Sequence, residues 1–444
     1  MRTLPRAVPI ERAGPADLMF LALQKAGVPE QFGVILVLEP EGSLDVARTL
    51  GLLGQRATGV PRLRQKLVRV PPWCGAPVWI DDPGFRIDRH LAAQACPAPG
   101  DEKAMLAATV DLLLQRLPSD RPLWAARLLT GLQGDRAALV IVVQHSLADG
   151  LGGLAVLGAL LDGPVVAPPR PFPVPAPSHR ELTADSFASC LRSLAEVPRR
   201  ARLPRSPRHP PVERIGRAAP CSLLHPTGPT RMVTVATADL ASLAEAAHRH
   251  GATVNDALVG AVAGALNGCM LERGEEPPPW VIAVPVSVRR QGSVESPGNA
   301  FTEMRACVSG DGSPTERLPR VAAIMRARKQ AVFRPSVGFV AALGVRALVA
   351  SGAYRLYMDR QRFLHTVLTN VRGPTTPVTL AGAPVTSMLP LAVGGGGNVS
   401  VTFAALSYAG TLRVTVTADP EATPDQAQLT ALLQAQLDAI VRAG

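Results

Sequence analysis

Apolar and polar residues alternate between two periods along the chain, so strands and helices are expected to follow one another through both halves. Gly33–Leu38 and Ala137–Val143 are short, almost wholly apolar runs bounded by turn residues, the signature of buried strands. Trp124–Leu129 reads as a third strand, joined to Ala137–Val143 around Leu132-Gln133-Gly134-Asp135. Helical spacing of apolar residues fits Leu44–Gln55, with Ser43 as its cap, Glu102–Arg116 and Gly150–Leu161. In the second half, strands are expected at Arg231–Thr237, Trp280–Val286, Phe301–Val308, Phe363–Thr369, Val399–Ser407 and Thr411–Thr417. Helices are expected after the caps Asp239 and Thr253, over Pro314–Val332, over residues 337–350, and from Pro424 to Val441. A mixed α/β protein with two layers in each half follows.

Proline divides these halves. Residues 164–229 are rich in Pro and Arg and read as an extended basic crossing segment, apart from a helix over Glu181–Glu196. The expected domains are therefore 1–163, the crossing segment 164–229, and 230–444. With 444 residues, the chain has ample length for two cores.

Composition narrows the function. Lys and Arg number 46 against 35 Asp and Glu, giving a net charge of +11 that is nearly all arginine. Such a balance suits anionic partners such as lipid head groups or a nucleotide-bearing substrate, or follows from coding bias alone. Aromatic residues are only 4% of the chain, too few for base stacking, and nucleic acid is not expected. Charged or turn residues interrupt every long apolar run, and Arg6, Glu11 and Arg12 interrupt the N-terminus, so neither a membrane span nor a signal peptide is expected. The six cysteines contain no CxxC pair, which fits reduced thiols and no metal site. A cytoplasmic protein is expected.

The stretch with chemistry is Gln144-His145-Ser-Leu-Ala-Asp149-Gly150, where a buried strand runs into a helix. A histidine there can face a cleft while the backbone holds it, and its usual pKa near 6.5 leaves it able to accept a proton at neutral pH. Asp149 can brace the loop, and Gly150 permits a tight helix start. Gly150-x-Gly152-x-x-Ala155 does not make a dinucleotide site, because no second strand ending in an acid follows. No GxSxG is present either. Gly394–Gly397 reads as a turn, and Arg326, Arg328 and Lys329 as a solvated helix face.

Gln144 to Gly150 resembles the HHxxxDG motif of the bacterial wax ester synthase/diacylglycerol acyltransferases, relatives of CoA-dependent acyltransferases and peptide-synthetase condensation domains. Asp17-Leu-Met-Phe20, Pro122-Leu123-Trp124, Asn255-Asp256, Pro285-Val-Ser-Val-Arg289, Gly298-Asn299, Asn370-Val-Arg372-Gly373-Pro374 and Ser407-Tyr408-Ala-Gly410 are similar to further family elements, in family order. The resemblance implies two chloramphenicol-acetyltransferase-like domains with a channel between them. It also implies acyl-CoA as co-substrate, an alcohol acceptor, no bound cofactor, and His145 as general base. Asp149 would pair with Arg289; Asn255, Asp256, Asn370 and Arg372 would line the channel or assist an oxyanion. The product would be triacylglycerol or wax ester, made at the inner membrane or at lipid inclusions to which the protein attaches peripherally. Two departures are visible: Gln144 replaces the first His, and Ala125 replaces the Glu that often follows PLW. These admit a specialised-metabolite ester- or amide-forming enzyme as an alternative, and a non-catalytic scaffold relative as another.

Overall fold

The computed structural model describes residues 9–14, 17–18, 20, 29–147, 150–163, 171–201, 215–287, 301–332, 348–349, 351–394 and 396–443. The first half contains β1 (Gln31–Leu38), α1 (Val46–Gly59), β2 (Gln65–Val68), β3 (Val78–Asp81), β4 (Leu91–Ala95), α2 (Glu102–Leu114), β5 (Trp124–Thr130), β6 (Ala137–Gln144) and α3 (Gly150–Leu160). Helix α4 (His179–Ala201) follows. The second half contains β7 (Met232–Asp239), α5 (Leu240–Arg249), α6 (Val254–Glu272), β8 (Trp280–Ser287), β9 (Phe301–Val308), α7 (Pro314–Val332) and α8 (Tyr354–Met358). It ends with β10 (Thr366–Arg372), β11 (Thr379–Leu380), β12 (Ala383–Ala392), β13 (Val401–Tyr408), β14 (Thr411–Ala418) and α9 (Gln426–Ala443).

Two six-stranded mixed sheets organise these elements. The second has the order β7-β14-β13-β10-β8-β9 and uses only strands of the second half. The first has the order β11-β12-β1-β6-β5-β4, so two of its strands come from beyond residue 378. Division by sequence and division by sheet therefore differ. β12 pairs antiparallel with β1, Gly33 opposite Leu391 and Leu36 opposite Met388. Val385, Met388, Leu389 and Leu391 are buried in the first core with Ile35, Leu36 and Val140. Burial of each such side chain is worth roughly 1.5–3 kcal/mol.

The hairpin that enters the first sheet is fastened at two points. Ala381 and Gly382 form its two-residue turn, both at positive φ (53° and 84°), the geometry that matches the twist of a hairpin. Asp162, just beyond α3, accepts from the N–H groups of Ala381 (3.0 Å) and Gly382 (2.8 Å), from Thr379 Oγ1 (2.7 Å) and from Arg56 Nη2 (2.6 Å). Burial alone would raise this carboxyl, but the four donors outweigh it and hold the pKa at about 2. At the other end, the buried Tyr408 hydroxyl donates to Val385 O (2.8 Å) and accepts from Val378 N (2.9 Å).

Local choices follow ordinary capping chemistry, with one shift. Asp45, not Ser43, caps the first helix, accepting from Arg48 N at 2.9 Å, and the helix begins at Val46. Asp239 and Thr253 cap as expected. α6 is long and apolar enough to cross a membrane by length and composition, yet most of it is buried in the second core. The helix in the crossing segment is longer than the sequence suggests, running to Ala201. Of the helix expected over 337–350, only 348–349 lie among the described residues.

Candidate active site

β6 is buried at every position and ends at Gln144, which stands opposite Gln31 of β1. The chain then turns, Leu147 N donating to Gln144 O at 2.9 Å. Two further backbone bonds fix this turn: Gln144 N donates to Leu123 O (3.0 Å) and His145 N to Glu30 O (3.0 Å). Leu123 belongs to Pro122-Leu123-Trp124, so that element lies directly against the histidine turn. Trp124 begins β5 opposite Val143, and its Nε1 donates to Leu63 O at 2.6 Å.

The half-buried His145 ring is held between two aromatic rings. Phe20 stacks on it with centroids 4.7 Å apart and planes at 19°; Phe32 lies 4.6 Å away at 37°. Apolar walls of this kind fix a ring's plane and keep water from its faces. Phe32 is itself backed by α3, where a Cβ on Gly153 would come within 3.0 Å of its ring. The N-terminal signature, the PLW element and the histidine motif thus meet at one turn, Phe20 against the imidazole and Leu123 against the backbone of Gln144.

Gln144 does not share the position of His145. It is fully buried and braces the turn: Oε1 accepts from Ser146 N (3.0 Å) and from the Ser146 hydroxyl, while Nε2 donates to Phe20 O (3.4 Å). An amide can accept and donate at once, which this position requires. The replacement of the first His therefore falls on a bracing position. Ala125 is likewise buried inside β5, opposite Val142.

Gly150 opens α3. Asp149 and Arg289 lie outside the described residues, as do Gly298 and Asn299. Asn255 is half-buried on the first turn of α6. The buried Asp256 carboxylate accepts from Thr253 N and Oγ1, both at 2.8 Å, completing a capping box with Thr253. Asn370 is half-buried on β10 opposite Ala405, and Arg372 is exposed opposite Ser407. Two motifs far apart in sequence are neighbours here, Gly373 N donating to Ser407 O (2.9 Å) and Ala409 N to Pro374 O (3.0 Å). With Tyr408 they frame the crossing hairpin.

One group was not singled out in the sequence. Glu30, whose carbonyl receives the His145 N–H, has a carboxyl that burial pushes up to about 7. Tyr354 of α8 is raised above its usual value by burial and then by the Glu30 charge, so a second-half side chain lies within electrostatic reach of the histidine turn. An acid just before the first buried strand was the available signal. No group of metal-ligating side chains occurs among the described residues.

Comparison with known proteins agrees with this architecture. Residues 14–258 match the wax ester synthase/diacylglycerol acyltransferase catalytic domain, and residues 298–441 match the C-terminal domain of the same family. A Mycobacterium tuberculosis protein with the provisional name diacylglycerol O-acyltransferase is 29% identical over 396 residues, covering 83% of this chain and 84% of its own. A second from that organism, also provisionally named, is 27% identical over 427 residues, 89% and 88% of the two chains. Among solved structures, the wax ester synthase/diacylglycerol acyltransferase of Marinobacter aquaeolei superposes with a TM-score of 0.69 at 21% identity, covering 97% of this chain and 98% of that one. The starter condensation domain of rhizomide synthetase, solved with C8-CoA and Leu-SNAC, has a TM-score of 0.57 at 16% identity over 97% and 94%. The chain belongs to the wax ester synthase/diacylglycerol acyltransferase family.

Proposed function

We propose that this acyltransferase moves a long-chain acyl group from CoA to an alcohol, diacylglycerol or a fatty alcohol, with His145 as general base. The observation that carries the reading is the His145 ring, clamped between Phe20 and Phe32 where three motifs meet. Its imidazole takes the proton of the acceptor hydroxyl as that oxygen attacks the thioester carbonyl. The tetrahedral intermediate collapses with breakage of the C–S bond, and the imidazolium returns the proton to the departing thiolate. Products are an ester and free CoA, with no acyl-enzyme and no bound cofactor in the scheme. Asp149 and Arg289 are assigned to bracing the loop, and Asn255, Asn370 and Arg372 to the channel wall. Both reactants have long apolar chains, which supports work at a lipid surface on the cytoplasmic side of a membrane or on an inclusion.

The test is CoA release from palmitoyl-CoA with dioleoylglycerol or hexadecanol supplied in turn. Release that requires an acceptor and falls at least 100-fold in His145→Ala, with an unchanged melting temperature, is expected. Equal release by folded His145→Ala would remove the base. Absence of release with both acceptors from folded wild-type protein would reject these substrates.

A further inference from the structure

Large apolar side chains are exposed at few places among the described residues, and three of those fall together. Trp73 is 70% exposed, Phe187 67% and Leu191 51%. Phe187 and Leu191 are four residues apart on α4 and so share one face. Thr183, four residues earlier in the same row, meets Cys74 Sγ at 3.5 Å through its hydroxyl. The row therefore starts against the turn Pro72–Cys74, which carries Trp73.

The opposite side of α4 is docked firmly. Leu182 is buried with Cys74 and Val78. Arg12 donates to Asp185 (2.8 Å), Leu182 O (2.8 Å), Cys74 O (2.7 Å) and Ala76 O (3.0 Å), tying helix and turn to the body. The exposed row is thus the outer face of a fixed helix.

Its charge is net positive. Arg180 and Arg192 of α4, and Arg69 four residues before Trp73, are exposed. Of the acids on the described part of the helix, Asp185 is paired with Arg12, while Glu181 keeps its charge and accepts from the N–H and hydroxyl of Ser178, each at 2.7 Å, so the arginines outnumber the one unpaired carboxylate. A second copy of this face would bring arginines against arginines across a two-fold axis, which disfavours self-association. Apolar side chains rimmed by arginine instead match a surface with an apolar interior and anionic head groups.

We infer that the Trp73–Phe187–Leu191 face docks the protein on an anionic phospholipid surface. The inference rests on the lipid-surface reading above and deepens it by naming the face. Docking there also bears on the site, because the turn Pro61–Arg64 that leads into β2, and so into the segment holding Trp73, accepts at Leu63 O from Trp124 Nε1, beside the strand end that carries His145.

Sedimentation with phosphatidylglycerol/phosphatidylcholine vesicles, against phosphatidylcholine alone, tests it without turnover. Wild-type protein should partition at least ten-fold more strongly to the anionic vesicles and lose that preference in high salt. The double variant Phe187→Glu/Leu191→Glu should lose at least ten-fold of the binding while keeping its melting temperature. Wild-type binding that ignores vesicle charge, or variant binding equal to wild type, overturns the inference. So does a dimer that the double variant converts to monomer without change in vesicle binding. Failure of acyl transfer with every acceptor would overturn the proposed reaction and leave the vesicle result to stand by itself.

Discussion

The two sheets are closed in different ways. The second is complete within its own half, built on β7 to β10 and β13–β14 and covered by the buried α6. The first is incomplete until β12 arrives from the other half and pairs with β1. Motifs that look alike in sequence divide along this line. Those of the first half converge on the turn that carries His145. Several residues of the second-half motifs hold the frame: Asp256 caps α6, and Gly373, Pro374 and Tyr408 frame the crossing hairpin. The base and the closure of the first sheet thus fall on different residues, and mutations should separate them.

His145→Ala, with its loss of two orders of magnitude or more in turnover and an unchanged melting temperature, is the largest expected effect and marks one side of this comparison. On the other side, Tyr408→Phe leaves the crossing hairpin without a donor to Val385 O and an acceptor for Val378 N. We expect about 2 kcal/mol of lost stability in urea unfolding, with kcat of the folded enzyme within two-fold of wild type. A stable Tyr408→Phe protein with impaired turnover would reverse the assignment.

Asp162→Asn should show the same separation through pH. The folded pKa of about 2 is below the usual carboxylate value of 3.8, so the stabilising contribution is complete above the unfolded value and is lost as the pH falls from there towards 2. It amounts to about 2 kcal/mol. Wild type should therefore lose its melting-temperature advantage over the variant between pH 5 and pH 2. A constant difference across that range would show that the carboxylate charge is not what fastens the hairpin.

The smallest effect belongs to Gly153→Ala. Its new methyl group meets the Phe32 ring and shifts the wall of His145, so kcat/KM should fall several-fold while stability changes by about 1 kcal/mol. Unchanged kinetics would mean that the tilt of Phe32 does not matter to the base.

Much of this frame was legible because it is local. The run Ala137–Val143 is apolar throughout and is a buried strand; Asp239 and Thr253 cap the helices they precede. β12 was missed because Pro384 and Pro390 argue against a central strand. Pro390 is accommodated because β11 spans only Thr379–Leu380, leaving the outer edge of β12 without a partner strand in this sheet at that position. The site divides similarly. His145 was visible from its own motif, as was its place at a strand end. Its aromatic clamp and the raised Glu30 carboxyl arise from contacts between segments distant from the turn, which no spacing encodes. Asp256 shows the converse, since T-x-x-D is a local capping signal that competes with a channel role.

The crossing strand sets the order in which the protein can be made. The strand that covers the edge of β1 follows it far behind in synthesis, Thr386 Oγ1 reaching Val37 O across 349 residues of chain. Until then one edge of an apolar sheet is open, a template for pairing with other nascent chains. Completion of the first sheet therefore waits for β12, and a fragment ending before residue 379 would lack β11 and β12 and the cover they give it.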